Sequence, residues 1–292
     1  MSPHMRGHAA MLAFSMLVAG SFVLGAMSAN AMDPAALNAV RFWIAGAVLC
    51  AVVAATGGVR RADLASPWRY AVLAVFLTTY FVLMFEGLKT ATPVSAAAVF
   101  TLTPMIAGAF GWLLLRQVMT PRMALALVIG AIGALWVIFR ADLNALLRFE
   151  VGRGEAIYFW GVVAHAIYTP LVRRLNRGES ALVFATGVVM AGAVLLTLWG
   201  WGALVATDWG GLPPIVWVTI FYTAIFASAA TFVLLQYASL RLPSAKVMAY
   251  TYLVPSWVIV WNLALGQSPP VALVGVGVVL TLIALFLLLR ED

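Results

Sequence analysis

The residues whose side chains could best bind a ligand or transfer a proton are ionisable and aromatic residues inside long apolar stretches of the sequence. His165 is the sharpest example, because it shares one helical face with Tyr158 and Tyr168, at i−7 and i+3. An imidazole deep in an apolar layer can carry a proton or bond a cargo molecule, and ionisable groups there usually serve a function. Between a proton carrier and a neutral histidine that is bonded within the protein, we favour the neutral histidine.

Aromatic and hydroxyl side chains at similar depth have the types that an amphipathic cargo needs, because π-faces bind an apolar ring and hydroxyl groups bond its polar ends. A helix rises about 1.5 Å per residue, so Tyr80 lies about 18 Å into its stretch and His165 about 16 Å, near the middle of a bilayer. Trp160 lies about 9 Å in, as cavity wall or as part of an interfacial belt. The predicted substrate-binding residues are Tyr80, Phe100, Trp160, His165, Tyr222, Thr251 and Tyr252.

Each of these residues also has a purely structural interpretation. The tyrosines can bond a neighbouring helix, and Phe100 and Trp160 can simply pack. Arg41 lies about 9 Å into its stretch, from where its long side chain can reach the outer surface. We interpret Arg41 as structural, with attraction of a cargo carboxylate as the alternative.

Two segments with prolines at both ends punctuate the chain at corresponding places. They read PVSAAAVFTLTP, from Pro93 to Pro104, and PSAKVMAYTYLVP, from Pro243 to Pro255. Pro93 and Pro243 suit the first turn of a helix, where the missing N–H would have no partner. The repetition indicates an internal duplication, although prolines also occur singly in many membrane helices.

The inner prolines of these segments predict hinges. Pro104 and Pro255 each remove the hydrogen bond to the carbonyl four residues earlier, that of Phe100 or Thr251. Small residues follow Pro104 on one helical face and permit close packing even when the helix bends. The predicted hinge and gating residues are Pro104, Pro255 and Gly108.

Composition defines the elements that position these residues. With 64% hydrophobic and 9% charged residues and a mean hydropathy of +1.04, the chain predicts an all-α integral membrane protein in contact with a lipid bilayer. Ten stretches have spanning length. They are approximately Ala10–Ala29, Ala35–Thr56, Trp68–Leu88, Thr92–Leu115, Met123–Phe139, Gly154–Val172, Ala181–Val205, Pro213–Ser239, Ser244–Gly266 and Pro270–Leu289.

Basic residues predict the orientation of these spans. With the N-terminus inside, twelve of the 17 Lys and Arg residues fall on the cytoplasmic side, as the positive-inside rule requires. Both termini are then cytoplasmic. The segment before Ala29-Asn30-Ala31 also imitates a cleavable signal, but its apolar run of about 20 residues has spanning length, so we interpret it as the first span. The twelve are Arg6, Arg60, Arg61, Arg69, Arg116, Arg122, Arg173, Arg174, Arg177, Arg241, Lys246 and Arg290.

The ten spans divide into two halves, residues 1–145 and 146–292. Because each half holds five spans, an odd number, the second half enters the membrane from the opposite side, which predicts two inverted-topology five-helix repeats. Transporters built in this way hold their substrate near the middle of the membrane, where the halves meet. Alternating access at that junction is the predicted mechanism.

Several function classes lack their signatures. The basic residues are scattered and no nucleic-acid module surrounds them, so nucleic acid is not an expected partner despite the net charge of +7. No metalloprotease motif, nucleophile elbow or deep carboxylate pair is present, so we expect neither an enzyme nor a metal or other cofactor. Glu86 and Glu155 fall only at span ends, which predicts transport without an embedded-carboxylate coupling site.

The chain resembles the drug/metabolite transporter superfamily, in its EamA-type ten-helix branch. The residues that carry the resemblance are Pro34 through Arg41 to Ala45, the two proline-bounded segments, and Gly154 through Ala166 to Tyr168. The pattern is most similar to the aromatic amino acid exporters of that superfamily. That resemblance implies a multi-pass protein of a bacterial inner membrane that exports amino acids, and we expect a monomer. An efflux carrier for drug-like or other metabolites is the alternative, and a passive channel is a further one.

Overall fold

The computed structural model describes residues 3–118, 120–148 and 150–289, and within them every regular element is a helix. The α-helices are α1 Pro3–Ser28, α2 Pro34–Ala55, α3 Trp68–Gly87, α4 Pro93–Phe100, α5 Thr103–Leu115, α6 Pro121–Ile138, α7 Leu143–Leu147, α8 Arg153–Leu175, α9 Ala181–Trp199, α10 Trp201–Ala206, α11 Pro214–Ala224, α12 Thr231–Ser239, α13 Ser244–Ala249, α14 Val254–Ala264 and α15 Val274–Leu289. Short 3₁₀ segments occupy Arg61–Leu64 and Tyr250–Leu253, and Ile225–Ala230 is a π-helix.

Several helices begin with a capping side chain followed by proline. The Asp33 carboxylate accepts hydrogen bonds from the backbone N–H groups of Ala35 and Ala36 at 2.9 and 3.0 Å, and Pro34 opens α2. Thr92 and Thr120 cap α4 and α6 in the same way. The hydroxyl or carboxylate satisfies donors that a helix start leaves open, and proline needs no acceptor there.

In the part of the chain that the structure describes, eight helical segments are long and apolar enough to cross a membrane. Two further helices occupy the positions of the predicted sixth and tenth spans. Arg153–Leu175 has 23 residues but carries charged residues in its first and last turns, and Val274–Leu289 is apolar with 16 residues. The all-helical membrane architecture is therefore confirmed, while ten spans and the cytoplasmic placement of both termini stay predictions. Arg290, which entered the orientation argument, lies outside the described residues.

Helix packing relates the first five predicted spans to the last five. The third span packs on the sixth through α3 and α8, and its counterpart is the packing of the eighth span on the first through α12 and α1. The fourth span contacts the sixth through α5 and α8, and the ninth contacts the first through α14 and α1. The second and seventh spans pack on each other, as do the fifth and tenth. Exchanging the halves maps each of these pairs onto another of them or onto itself, as a pseudo-twofold repeat requires.

Two pairs of glycines allow close helix crossings. A Cβ added to Gly154 of α8 would lie 2.3 Å from the Gly87 carbonyl oxygen of α3. Likewise, a Cβ on Gly133 of α6 would lie 2.7 Å from the Gly277 carbonyl oxygen of α15. These neighbours are backbone atoms that cannot rotate away. Glycine therefore sets the spacing of both helix pairs.

Both predicted hinges fall at real interruptions of their helices. A two-residue turn separates α4 from α5 just before Pro104, and a 3₁₀ segment separates α13 from α14 just before Pro255. The carbonyl of Phe100 accepts a hydrogen bond from the Thr103 hydroxyl at 2.5 Å. The carbonyl of Thr251 accepts one from the backbone N–H of Val254. Local donors therefore replace the hydrogen bonds that the prolines remove.

Candidate functional site

The middle of the molecule holds a buried aromatic cluster around His165. The imidazole of α8 lies 4.4 Å from the ring centre of Tyr80 of α3 and 5.5 Å from that of Phe100, the last residue of α4. Tyr80 and Phe100 are 5.7 Å apart, and all three side chains are almost fully buried. The structure thus brings together three of the predicted substrate-binding residues.

Further aromatic and polar groups surround this cluster. Phe22 of α1 contacts Phe100 at 5.8 Å, and Tyr168 stacks on the imidazole at 6.0 Å. The Tyr158 hydroxyl donates to the Tyr80 hydroxyl at 3.2 Å. The Gln236 amide donates to the Tyr168 hydroxyl at 2.8 Å. Hydrogen-bonded rings from several helices therefore form one connected network.

A small cavity lies beside this network, at the junction of the two halves. Five lining residues come from the first half and five from the second: Phe14, Val18, Ser21, Tyr80 and Phe81, and His165, Ala227, Thr231, Phe232 and Leu235. Its volume is about 10 Å³, which suits roughly one water molecule. The centre of the molecule is therefore closed to any cargo larger than water in this conformation.

His165 lines this cavity, and one of its ring nitrogens has no hydrogen-bond partner among the described residues. Its Nδ1 atom is buried and makes no hydrogen bond to any residue within the described ranges. A buried polar atom without a partner is costly, so such an atom next to a cavity is a natural contact for a polar ligand. The interpretation of His165 as a histidine bonded throughout within the protein does not hold at this nitrogen.

Arg41 is entirely buried, so the expectation that its side chain reaches the outer surface is wrong. Its Nε donates to the Ser228 hydroxyl at 2.7 Å, and one terminal nitrogen donates to the Ala227 carbonyl at 2.8 Å. The guanidinium also lies 3.9 Å from the ring centre of Phe81, which lines the central cavity. These hydrogen bonds and the ring of Phe81 satisfy the guanidinium within the protein, as a buried charge requires.

The π-helix Ile225–Ala230 explains how Arg41 is held. Both acceptors of the guanidinium hydrogen bonds, the Ala227 carbonyl and the Ser228 hydroxyl, lie within this wider turn. No carboxylate among the described residues lies within 4.0 Å of Arg41. The positive charge of Arg41 therefore lies behind the cavity wall without a counterion among these residues. The sequence analysis did not predict the π-helix.

The other predicted substrate-binding residues lie away from the cavity. Trp160 is 65% exposed and contacts Phe159 on the outer surface of α8. The Tyr222 hydroxyl donates to the Leu17 carbonyl of α1 at 3.0 Å, a helix-bridging role.

Thr251 and Tyr252 are fully buried in the 3₁₀ segment between α13 and α14. The Tyr252 ring fills a notch at Gly130, where a Cβ would lie 2.3 Å from its hydroxyl oxygen. Both hydroxyls lack a hydrogen-bond partner within the described residues. They are adjacent to the break at Pro255 rather than to His165.

The predicted hinge residue Gly108 lies on a buried face of α5 together with Pro104 and Gly111. At Gly111, an added Cβ would lie 3.4 Å from the Ser244 side chain of α13. The fourth and ninth spans therefore touch each other along α5 and α13.

Loops at the end of the molecule opposite the first turn of α4 are held by ion pairs that sequence reasoning did not find. Arg69 bonds Glu179 at 2.6 Å, with both side chains nearly buried, and Arg60 bonds Asp63 at 2.8 Å. The hydrogen bond from Arg60 lowers the pKa of Asp63. Burial raises the pKa of Glu179, but hydrogen bonds from Arg69 and from the Arg177 backbone N–H lower it more, so that this pKa is below its usual value.

Larger cavities open at one end of the molecule, around the first turns of α4 and α8. Their volumes are about 400, 390, 320 and 220 Å³, and each is lined by Pro93, Ser95 or Glu155 from these turns. In the predicted orientation this end faces outward. No group of three metal-ligating side chains occurs among the residues that the structure describes.

Comparison with known proteins gives a consistent picture. The model of the EamA-like transporter family matches residues 5–139 and again 152–290. The "Uncharacterized transporter YyaM" of Bacillus subtilis (strain 168) is 26% identical over 282 residues, which cover 96% of this chain and 92% of that protein. A solved crystal structure is similar over 98% of this chain and 96% of its own, with a TM-score of 0.72 and 22% identity.

Proposed function

Because this chain belongs to the EamA-like transporter family and is a multi-pass membrane transporter, we propose that it moves small amphipathic metabolites by alternating access through the central cavity. Amino acids with aromatic or apolar side chains are the proposed cargo. The observation that carries this proposal is the cavity itself, which both halves line equally and which holds aromatic faces beside an imidazole nitrogen without a partner.

The chemistry of the cavity fits the two parts of such a cargo. Rings of Tyr80 and Phe81 offer faces and edges to an apolar side chain. His165 Nδ1 offers a hydrogen bond, and the uncompensated charge of Arg41 behind Phe81 attracts a carboxylate. The same features disfavour a lipophilic cation, because the central cavity has no acidic lining residue among those described.

Movement of the broken helices supplies the space that the cargo needs. The closed cavity must expand by far more than its present volume to admit an amino acid, so the lining helices must separate. Phe100 ends α4 at the break and packs on His165, which makes it a direct mechanical link between hinge and cavity. Pro104 and Pro255, with Gly108 on the packed face, are the proposed pivots.

We further propose that transport is facilitated rather than driven by an ion bound to a central carboxylate. We also propose that the protein acts as a monomer in a bacterial inner membrane. Its two inverted repeats exchange roles as the cavity opens to either side. The twofold match to one family model and the symmetric packing of the halves support this arrangement.

The test is a counterflow screen in proteoliposomes with radiolabelled amino acids, lipophilic cations and other metabolites. We expect saturable counterflow of at least one aromatic or apolar amino acid. Tyr80→Ala and His165→Ala should each reduce it at least tenfold, whereas Trp160→Ala, at an exposed site away from the cluster, is the matched control and should keep it.

If only lipophilic cations show counterflow, the protein is a carrier of drug-like compounds rather than of amino acids. A flux that rises linearly with substrate concentration and does not saturate would indicate a channel. Equal loss with Trp160→Ala and His165→Ala would contradict the assignment of the cavity.

A further inference from the structure

Glu155 is a buried carboxylate that the central mechanism does not use. It lies in the first turn of α8, its side chain is almost completely buried, and its Oε1 accepts a hydrogen bond from the Ser95 hydroxyl of α4 at 2.7 Å. No Lys, Arg or His nitrogen of the described residues lies within 4.0 Å of this carboxylate. Buried acids without a cationic partner are rare outside functional sites.

Two cavities of different character share Glu155 as part of their wall. One has a volume of about 320 Å³ and is otherwise lined by apolar and aromatic side chains, among them Val99, Leu102 and Trp160. The other, of about 390 Å³, is polar. Ile138 and Phe139 also line both, so the carboxylate stands at their boundary.

Charge in the polar cavity is predominantly negative. Asp142, Glu150 and Glu155 line it together with a single basic residue, Arg140. Glu150 pairs with Arg148 at 3.8 Å and is 59% exposed at its side chain, so solvent weakens that pair. The lining of this cavity therefore presents more negative than positive charge to a bound cation.

The local backbone makes room for the carboxylate. A Cβ on Gly152 would lie 2.2 Å from Glu155 Oε2, although the φ angle of −63° at Gly152 suits any residue. The positive end of the α8 dipole lies beside Glu155 and offsets part of the cost of burying its charge. Space and field are thus both arranged around one acidic group.

We propose that these two cavities form a binding site, separate from the central cavity, for an amphipathic amine with a single positive charge. The ammonium group bonds Glu155 at the boundary, and the ring or chain lies in the apolar cavity, which opens beside exposed Trp160 toward the lipid-facing surface. A charge-assisted hydrogen bond in a water-poor site gives the amine its advantage over a neutral molecule of the same shape.

The test measures binding of tritiated tryptamine to the full-length protein in lipid nanodiscs. Tryptophol, which carries a hydroxyl in place of the amine, serves as the neutral competitor. We expect saturable tryptamine binding that tryptophol does not displace. Glu155→Gln, which keeps the shape and the acceptor for Ser95, should weaken binding at least tenfold, while Glu150→Gln in the same polar cavity should change it less than twofold.

A second variant acts without removing the charge. Gly152→Ala displaces the carboxylate and should weaken tryptamine binding while leaving the monodisperse elution and thermal unfolding of the protein unchanged. Equal binding by wild type and Glu155→Gln, or equal affinity for tryptamine and tryptophol, would overturn the proposal. Loss with His165→Ala but not with Glu155→Gln would place the amine in the central cavity and also overturn it. Unsaturable binding would show partition into the lipid rather than a site, and would also overturn the proposal.

Discussion

The Thr103 hydroxyl is expected to hold the broken fourth span together. Pro104 leaves the Phe100 carbonyl without its usual backbone donor, and Thr103 supplies a replacement from its side chain. Thr103→Val keeps the shape but leaves a buried carbonyl with no donor, which costs about 1–3 kcal/mol. We expect that loss in the free energy of unfolding, measured in bicelles.

A double-mutant cycle isolates this interaction. In a Pro104→Ala background the backbone N–H at position 104 is restored, so Thr103→Val should cost less than about 0.5 kcal/mol there. Thr101→Val is the matched control. The Thr101 hydroxyl and its own backbone N–H both donate to the Ala98 carbonyl, which therefore keeps a donor after the substitution. Equal costs of Thr103→Val with and without Pro104 would refute the reasoning.

Three further predictions concern other parts of the fold. Gly154→Ala should destabilise the folded protein by about 1–3 kcal/mol, because the added Cβ meets backbone atoms. Gly202→Ala, with open space around the added Cβ, is the control and should be nearly neutral. Thermal unfolding measures both effects. Glu179→Gln should destabilise at neutral pH by removing the partner of Arg69. The difference from wild type should shrink as the pH falls through the lowered folded pKa of Glu179, since the wild-type ion pair contributes its full stability above the unfolded pKa of about 4.3 and loses it as the pH falls through the folded pKa. Arg41→Gln should reduce counterflow of a carboxylate cargo about tenfold more than that of its methyl ester, because the substitution removes the positive charge behind Phe81 that attracts the carboxylate.

Proline and glycine chemistry made several features predictable from sequence. The interruptions before Pro104 and Pro255 follow from a missing N–H, which is a property of the residue itself. The helix starts at Pro34 and Pro93 follow from local capping. Such features depend on neighbours in the chain, so no tertiary information is needed.

The π-helix and the buried position of the Arg41 side chain were not predictable in this way. The segment Ile225–Ala230 contains neither proline nor glycine. Its Ala227 carbonyl accepts a hydrogen bond from the guanidinium of Arg41, which lies 186 residues earlier in the sequence. Only the packed structure brings the two together. The same limit applies to Glu155, whose burial depends on Ser95 of another helix.

The position of a residue along its helix predicts its depth in the membrane but not the direction in which its side chain points. Trp160 and His165 are five positions apart, which places them about 140° apart around α8. His165 therefore faces the interior while Trp160 faces outward. Tyr80, on the neighbouring α3, faces the same interior and joins His165.

The central claim is that the cavity between the two halves opens alternately to the two sides of the membrane. Ser21 lines that cavity, and cysteine has nearly the same size. In a Cys50→Ala background, which removes the single native cysteine, Ser21→Cys provides one label site. The measurement is its modification in oriented vesicles by a membrane-impermeant thiol reagent applied from each side in turn. We predict modification from both sides and protection by the transported cargo; modification from one side alone, or none from either side during active counterflow, would contradict alternating access through this cavity.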